Sequence, residues 1–170
     1  RAPRPAPGAH HERPAVTATV PVASPAVAEG LSDQEQQVRR LALRDLMVAT
    51  PFIAGLGMVF DRWEPDVVVL RLPFRADLTN DGVVYHGGVV ASALDTAGAG
   101  AAWSNHDFTK GTRASTVSMS VQYIGSAKRS DLVCTARTVK RGRELIFTEI
   151  TATDAEGTPV AHAVQTYRIV

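Results

Sequence analysis

Cysteine is almost absent from this sequence, which has 170 residues and one thiol, Cys134. A single cysteine excludes a disulfide bond within the chain and a cysteine-rich zinc site, and it favours the reducing cytoplasm as the location. The sequence also lacks a run of about 18 consecutive apolar residues, which a membrane-spanning helix requires. With 45% apolar and 21% charged residues, the composition is that of a globular protein without a membrane span.

An excess of charge of either sign is also absent. Lysine and arginine together number 18 and aspartate and glutamate number 17, so the formal net charge is +1. A protein that neutralises the phosphates of a nucleic acid carries a pronounced positive excess. The near balance therefore predicts that this chain does not bind nucleic acid, and its length predicts one domain of ordinary size.

Proline is scarce after residue 30 and concentrated before it. Residues 1–30 contain six of the ten prolines together with eight alanines, and they show no apolar periodicity. Such a segment buries too little apolar surface to offset the entropy of ordering it, so we predict a disordered or extended tail over residues 1–30. The tail lacks the apolar h-region of a secretory signal, and its prolines disfavour the amphipathic helix of a transit peptide. Residues 31–170 then form the folded domain.

The folded part shows the periodicities of helices and of strands. We predict helices over residues 32–48 and 86–103, the first opened by the capping box Ser32-Asp33-Gln34-Glu35 and ended before Thr50-Pro51. Alternating apolar and polar residues predict strands over six ranges: 54–63, 66–72, 114–124, 130–140, 143–154 and 158–169. Short connections predict a hairpin of the first two strands and an antiparallel meander of the last four. One buried helix and a sheet of about six strands give an α+β fold.

The second predicted helix is apolar almost all round, which predicts burial. Gly98 and Gly100 each cost about 1 kcal/mol relative to alanine within a helix, so we expect a surrounding backbone to approach the helix closely there. Asp95 is the only ionisable side chain between His86 and Trp103. A carboxylate in such surroundings must be paired, neutralised or exposed to a solvated cleft, which makes Asp95 a candidate general base or nucleophile.

Two adjacent glycines, Gly87 and Gly88, stand at the start of this helix. Their backbone N–H groups are unobstructed by side chains and unsatisfied within the helix, so they suit a carbonyl oxygen that becomes an oxyanion. His86 and Asp95 are nine residues apart, about 13.5 Å along a helix and about half a turn around it. On one helix they cannot reach the same substrate atom. Either the segment from His86 to Gly88 is not helical, or a second subunit completes the site.

The pattern formed by Asn80, the run His86-Gly87-Gly88 and Asp95 resembles the hotdog-fold acyl-CoA thioesterases. More narrowly, it resembles the phenylacetate-degradation (PaaI-like) branch of that family. Three further segments fit the same family: 116–128, 140–143 and 161–167. The resemblance covers residues 50–170, and it departs from the family at Ile124-Gly125-Ser126, where a proline is more frequent.

The resemblance implies a long central helix wrapped by an antiparallel sheet of about five to six strands. It also implies hydrolysis of acyl-CoA thioesters to free acid and coenzyme A. Asp95 would activate water or attack the thioester carbonyl directly, and an N–H of Gly87 or Gly88 from a partner subunit would polarise that carbonyl. Asn80 would orient the water or the carbonyl, and His86 would hold the loop or the thioester by hydrogen bonding.

Further implications concern the remaining site and the assembly. Thr116 occupies a position where the family often has a serine or threonine that completes the site. Family members are homodimers or homotetramers with active sites at the dimer interface, and they need neither a metal ion nor a cofactor beyond the coenzyme A of the substrate. Four basic residues would pair with the phosphates of coenzyme A: Lys128, Lys140, Arg141 and Arg143.

Several alternatives stay open at this point. A hotdog dehydratase acts on hydroxyacyl thioesters, but it pairs a histidine with an upstream acid in an arrangement that this sequence does not show. A non-catalytic acyl-CoA sensor would have no need of Asp95. A scaffold protein would use the tail, residues 1–30, to dock a partner. The acyl group, the choice between general-base and anhydride mechanisms, and the choice between dimer and tetramer are equally open.

Overall fold

The computed structural model describes residues 30–170, so the prediction of a disordered tail lies outside the described residues. Three helices and six strands follow one another along the chain. Their bounds are α1 (Asp33–Ala49), α2 (Pro51–Leu56), β1 (Val59–Glu64), β2 (Val67–Leu72), α3 (Gly87–Ser104), β3 (Ala114–Tyr123), β4 (Leu132–Arg141), β5 (Leu145–Thr153) and β6 (Pro159–Ile169). Two short 3₁₀ turns, at Ala76–Leu78 and Phe108–Lys110, flank α3 in the chain.

The six strands form one sheet in the order β1-β2-β4-β5-β6-β3, with every neighbouring pair antiparallel. Helix α3 contacts all six strands, so it is the helix at the centre of the fold. The predicted α+β hotdog architecture is therefore confirmed. Within residues 30–170, no helix combines the length and the hydropathy needed to cross a bilayer.

The predicted four-strand meander is wrong in one respect, the place of β3. Strands β4, β5 and β6 do form a meander, but β3 pairs with β6 at the far edge of the sheet and not with β4. Consecutive strands must pair with each other only when a tight turn joins them, as the turn at Gly142 joins β4 and β5. Residues 124–131 are a longer crossing that includes the buried Ala127, and this crossing leaves β3 free to close the other edge.

Helix α1 follows its sequence signals. Ser32 caps the helix, with its hydroxyl accepting from the Glu35 N–H at 3.3 Å, while the Glu35 carboxylate accepts from the Ser32 N–H at 2.8 Å. This reciprocal pair is the predicted capping box. The helix ends at Ala49, before Thr50 and the proline that follows it, as expected for a residue that resists the helical conformation before proline.

A short helix, α2, replaces the beginning of the first predicted strand. Pro51 stands at its first turn, where the fixed φ of proline favours a helix. Gly57 then closes α2 with a left-handed φ of 75°. The prediction of a strand from residue 54 was therefore wrong for residues 54–58, and β1 begins at Val59.

Helix α3 packs against the sheet through a face that is mostly alanine. Ala93, Leu94, Ala97 and Ala101 are fully buried between the helix and the sheet. At Gly100, an added Cβ would lie 2.8 Å from the ring of Phe60, closer than a real methyl group is found. The predicted close approach at Gly98 and Gly100 is thus present, but the prediction that a backbone makes it is wrong. Side chains make it, those of Gln165 and Thr148 at Gly98 and that of Phe60 at Gly100.

A buried histidine holds the loop after α3. The ring nitrogen Nε2 of His106 lies 2.8 Å from the carbonyl oxygen of Gly111, and the ring packs edge-on against Trp103 and Phe108. Burial lowers the pKa of His106, and the nearby Arg141 acts in the same direction. The neutral imidazole is therefore the form that the fold accommodates.

We expect the fold to lose stability in mild acid through His106. The unfolded chain protonates this residue near its ordinary pKa of 6.5. The folded chain does so only at lower pH, so the stabilisation is complete above 6.5 and is lost as the pH falls through the folded value. His106→Phe keeps the aromatic packing, removes the titration and costs about 1 kcal/mol for the hydrogen bond to Gly111.

Urea unfolding at about pH 7.5 and about pH 5.5 measures this effect, at one protein concentration. The free energy of unfolding should fall more between the two conditions in the wild type than in His106→Phe. An equal fall in both proteins would show that other groups are responsible.

Candidate active site

A histidine caps the N-terminus of α3. His86 is the N-cap residue, and its ring nitrogen Nδ1 accepts a hydrogen bond of 2.9 Å from the Gly88 N–H. The backbone carbonyl of His86 accepts from the Val89 N–H at 3.0 Å. Within residues 30–170 the Gly87 N–H has no such acceptor. Of the two N–H groups predicted to polarise a carbonyl, the one from Gly87 is therefore open and the one from Gly88 is engaged.

The loop before His86 is closed by its own polar side chains. The Thr79 hydroxyl accepts from the Gly82 N–H at 2.7 Å, and the Asp81 carboxylate accepts from the Val84 N–H at 2.8 Å. These backbone hydrogen bonds hold the pKa of Asp81 below its usual range. Asn80 is exposed, and its side chain makes no hydrogen bond within the described part of the chain. The loop thus presents Asn80 to solvent and not to Asp95 of the same chain.

Asp95 lies in the middle of α3, half-buried, and one of its two carboxylate oxygens is held by two donors. The Thr116 hydroxyl donates to Oδ1 at 2.7 Å, and Nε2 of Gln165 donates to the same oxygen at 2.7 Å. No donor from residues 30–170 reaches Oδ2. The structure therefore joins Thr116 and Asp95, two of the predicted site residues, and leaves one carboxylate oxygen available.

Gln165 and Thr148 are polar residues of this region that the sequence did not reveal. Both are 2% exposed, and the Thr148 hydroxyl donates to Oε1 of Gln165 at 3.2 Å. The signal was present in the phase of β6, because Gln165 alternates with the buried Ala163 and Tyr167 on the face that packs against α3. A polar side chain on that face is surrounded by the hydrophobic core, so it needs hydrogen-bond partners there.

The separation of His86 and Asp95 is the feature that decides how the site is completed. Gly87 and Gly88 belong to α3, so the alternative of a non-helical glycine segment is excluded. Asp95 follows Gly87 by eight helical residues, about 12 Å along the axis. One chain alone therefore does not place the open Gly87 N–H and the open Asp95 oxygen on the same small group.

The four basic residues predicted to bind coenzyme A phosphates are not gathered in one place. Lys128 precedes β4 and forms an isolated bridge with Val84, whereas the other three lie at the opposite end of β4, roughly 30 Å away for a strand of this length. Arg141 is engaged, since its guanidinium donates to Asp66 at 2.6 Å and to the carbonyl of Ala102 at 2.9 Å.

Arg143 has a different setting from Arg141. It lines a cleft together with Lys110, Glu144 and the end of β6. Lys110 was not among the four predicted residues, and of those four only Arg141 and Arg143 share a cleft.

Nothing in the described residues groups three or more histidine, cysteine, aspartate or glutamate side chains as a metal site would. Cys134 is fully buried on β4, and burial raises the pKa of its thiol to about 12. The thiol is therefore protonated and shielded, and it takes no part in the chemistry of the site.

An antiparallel sheet around one long helix, with a carboxylate at mid-helix and an open N–H at its start, defines a hotdog-fold protein with a candidate hydrolytic site. The profile of the thioesterase superfamily matches residues 82–161, from the loop before His86 into β6. A protein of Halobacterium salinarum named "Putative esterase" is 33% identical in an alignment of 126 residues that covers 69% of this chain and 83% of that protein. The chain belongs to the thioesterase superfamily.

Solved structures agree with this assignment. A thioesterase family protein from Silicibacter pomeroyi superposes with a TM-score of 0.70 at 28% identity, covering 79% of this chain and 98% of that one. The PaaI protein from the E. coli phenylacetic acid degradation operon gives a TM-score of 0.69 over 82% of this chain and 96% of that one. At 18% identity the second likeness concerns the fold alone, and the narrower PaaI-like assignment stays a prediction. The superfamily and the esterase relative support a hydrolase of thioester bonds.

Proposed function

We propose that this protein hydrolyses acyl-CoA thioesters, with Asp95 as the reacting carboxylate. The observation that carries the proposal is the asymmetry of that carboxylate. Thr116 and Gln165 hold Oδ1, and Oδ2 has no donor among the described residues. A carboxylate fixed through one oxygen presents the other in a defined direction, as a general base or a nucleophile must.

The reaction balances with these groups. In the general-base form, Oδ2 of Asp95 removes a proton from water as the water oxygen bonds to the thioester carbon. The carbonyl oxygen becomes an oxyanion stabilised by the Gly87 N–H. When the intermediate collapses, the C–S bond breaks, the coenzyme A thiolate leaves, and the proton on Asp95 passes to that thiolate or to solvent. A thiol with an ordinary pKa near 8.5 leaves readily, so no strong general acid is needed.

The anhydride form uses the same residues. Oδ2 attacks the carbonyl carbon and expels the thiolate, and water then hydrolyses the mixed anhydride and restores the carboxylate. In either form His86 keeps the start of α3 in shape through its bond to Gly88. Asn80, exposed on the preceding loop, orients the water or the carbonyl.

The two halves of the site come together if β3 pairs with β3 of a second copy. β3 is a ten-residue edge strand without a single charged residue or proline, and natural edge strands are normally protected by such residues. The opposite edge, β1, is shorter and carries Asp61, Arg62 and Glu64. Val117 and Tyr123 on β3 are 56% and 55% exposed. The unprotected edge is therefore the one that a second copy covers.

Two-fold pairing of β3 also solves the separation between Gly87 and Asp95. Thr116, near one end of β3, is bonded to Asp95, and Tyr123, at the other end, donates to the Gly87 carbonyl at 3.1 Å. Antiparallel pairing about the middle of the strand lays the Thr116 end of one copy against the Tyr123 end of the other. Asp95 of each copy then faces Gly87 of its partner, and a homodimer has two shared sites.

Lysines on the exposed face of β3 should separate the dimer. Ser118 and Ser120 are both exposed, so Ser118→Lys with Ser120→Lys leaves the isolated fold intact but sets like charges against each other across the pairing. We expect light scattering with size exclusion to show a monomer, and kcat to fall by at least about tenfold because each site loses its partner donor.

A pair of lysines elsewhere is the matched control. Gln34 and Gln37 are exposed on α1, and Gln34→Lys with Gln37→Lys should keep the dimer and its activity. A β3 variant that stays dimeric, or a monomer with full activity, would contradict the shared site.

A hydrolysis panel tests the proposed reaction itself. Short, long and aromatic acyl-CoAs are offered to the full chain, and released thiol is followed with a thiol reagent. Turnover that depends on Asp95 supports the thioesterase. Binding of acyl-CoA without release of thiol would indicate a sensor, and loss of water from hydroxyacyl-CoAs would indicate a dehydratase.

A further inference from the structure

We propose that Gln165 is a positioning residue for Asp95, that Thr148 fixes the orientation of its carboxamide, and that Gly98 provides the space for both. This inference rests on the proposed function of Asp95 and extends it to a buried layer beneath the reacting group. The three residues come from β6, β5 and α3, and none of them reaches the open carboxylate oxygen.

The orientation of the Gln165 carboxamide is determined by its partners. Its Nε2 lies 2.7 Å from Oδ1 of Asp95 and 3.1 Å from the backbone carbonyl of the same residue. Both are acceptors, so the amino end of the amide must face Asp95. Its Oε1 then accepts from the Thr148 hydroxyl at 3.2 Å. Without that hydroxyl the buried Oε1 loses its only donor partner among the described residues, and the carboxamide is held from its amino end alone.

The two residues that donate to Asp95 differ in how far they are buried. Thr116 is exposed on the edge strand, where water competes for its hydrogen bond. Gln165 is 2% exposed, and a hydrogen bond in such surroundings is not exchanged for one to water. Gln165 therefore sets the direction of the carboxylate, and the Thr116 bond follows from it.

Gly98 shows that the helix is adapted to this carboxamide. It lies three residues after Asp95, on the same side of α3. A Cβ at this position would lie 2.9 Å from Cδ of Gln165 and 3.0 Å from Oγ1 of Thr148. Glycine at this helical position costs about 1 kcal/mol relative to alanine, and the approach of Gln165 is the contact that requires it.

A pair of variants at Thr148 tests the inference without touching the reacting group. Thr148→Val has the same shape and lacks the hydroxyl, and Thr148→Ser keeps the hydroxyl. We expect kcat for the best acyl-CoA of the panel to fall by about 30-fold in the valine variant, as a misplaced catalytic group does. KM should stay unchanged, and the serine variant should recover kcat to within about threefold. Gln165→Leu should show the same loss of kcat, and Gly98→Ala a loss in the same direction.

Thr138→Val is the matched control, because the Thr138 hydroxyl donates to the Ala101 carbonyl at the other end of α3. This variant loses a comparable hydrogen bond between strand and helix, and it should keep its kcat. If Thr148→Val retains kcat within about twofold of the wild type, or if Thr138→Val loses as much, the positioning role is overturned.

Failure of the positioning role is distinguishable from failure of the proposed function. A wild type that releases no thiol, or an Asp95→Asn variant that stays active, overturns the proposed function. A wild type that depends on Asp95 and is indifferent to Thr148 overturns the positioning role alone. Should Gln165→Leu or Gly98→Ala fail to fold, the valine and serine variants of Thr148 still decide.

Discussion

Replacing Asp95 should abolish most of the turnover while the protein stays folded and oligomeric. Asp95→Ala is expected to lower kcat at least a hundredfold, the lower bound of what a positioned general base contributes. Asp95→Asn is the sharper variant, because the amide oxygen still accepts from Thr116 and Gln165 in the place of Oδ1. It removes the negative charge and the basic oxygen at Oδ2, and little else.

Released thiol from the best acyl-CoA measures this effect, with circular dichroism and light scattering on the same samples. Asp45→Asn is the control, since this carboxylate is exposed on α1 and, among residues 30–170, pairs only with its neighbour Arg44. Asp95→Asn with more than about a tenth of the wild-type kcat would exclude Asp95 as base or nucleophile. A loss of the oligomer in Asp95→Asn would assign the residue to structure.

Much of the fold was predictable because it depends on local patterns. The range 158–169 was predicted from alternation alone, and β6 runs from Pro159 to Ile169. The capping box of α1 was equally local. The position of β3 was not predictable in this way, since the choice between β4 and β6 as its neighbour depends on the path of residues 124–131.

The candidate site was likewise predictable from the sequence only in part. Asp95 and Thr116 were proposed together, and they are in contact across 21 positions of sequence. The choice between Gly87 and Gly88 was beyond the sequence, because it depends on the rotamer with which His86 caps the helix. Gln165 was missed because a glutamine in a strand is read as surface, although its alternation with Ala163 and Tyr167 places it on the face of β6 that packs against α3.

The open N–H of Gly87 is the second group whose loss should be large. Gly87 is the first residue of α3, where an N–H has no acceptor within the helix and proline is well tolerated. His86 before it has φ −62° and ψ 137°, a conformation that a residue before proline adopts readily. Gly87→Pro therefore deletes the N–H with little cost to the helix. Gly87→Ala keeps the N–H and adds the same Cβ, which meets the Tyr123 ring at an ordinary 3.7 Å.

The ratio of kcat between these two variants isolates the hydrogen bond. We expect Gly87→Pro to be about 10²- to 10³-fold slower than Gly87→Ala, the usual loss for one oxyanion donor. Equal rates in the two variants would show that the Gly87 N–H does not polarise the carbonyl.

Mixing two inactive proteins then tests whether the site is shared. Asp95→Asn and Gly87→Pro are refolded together, so about half of the dimers contain one chain of each. In such a dimer the Asp95 of the proline variant faces the Gly87 of the asparagine variant, and one of the two sites is intact. About a quarter of the wild-type activity should return, since half of the dimers each regain one of two sites. If both groups acted within one chain, every site would lack one of them and no activity would return, so the mixture distinguishes a shared site from a self-contained one even where both single variants are inactive.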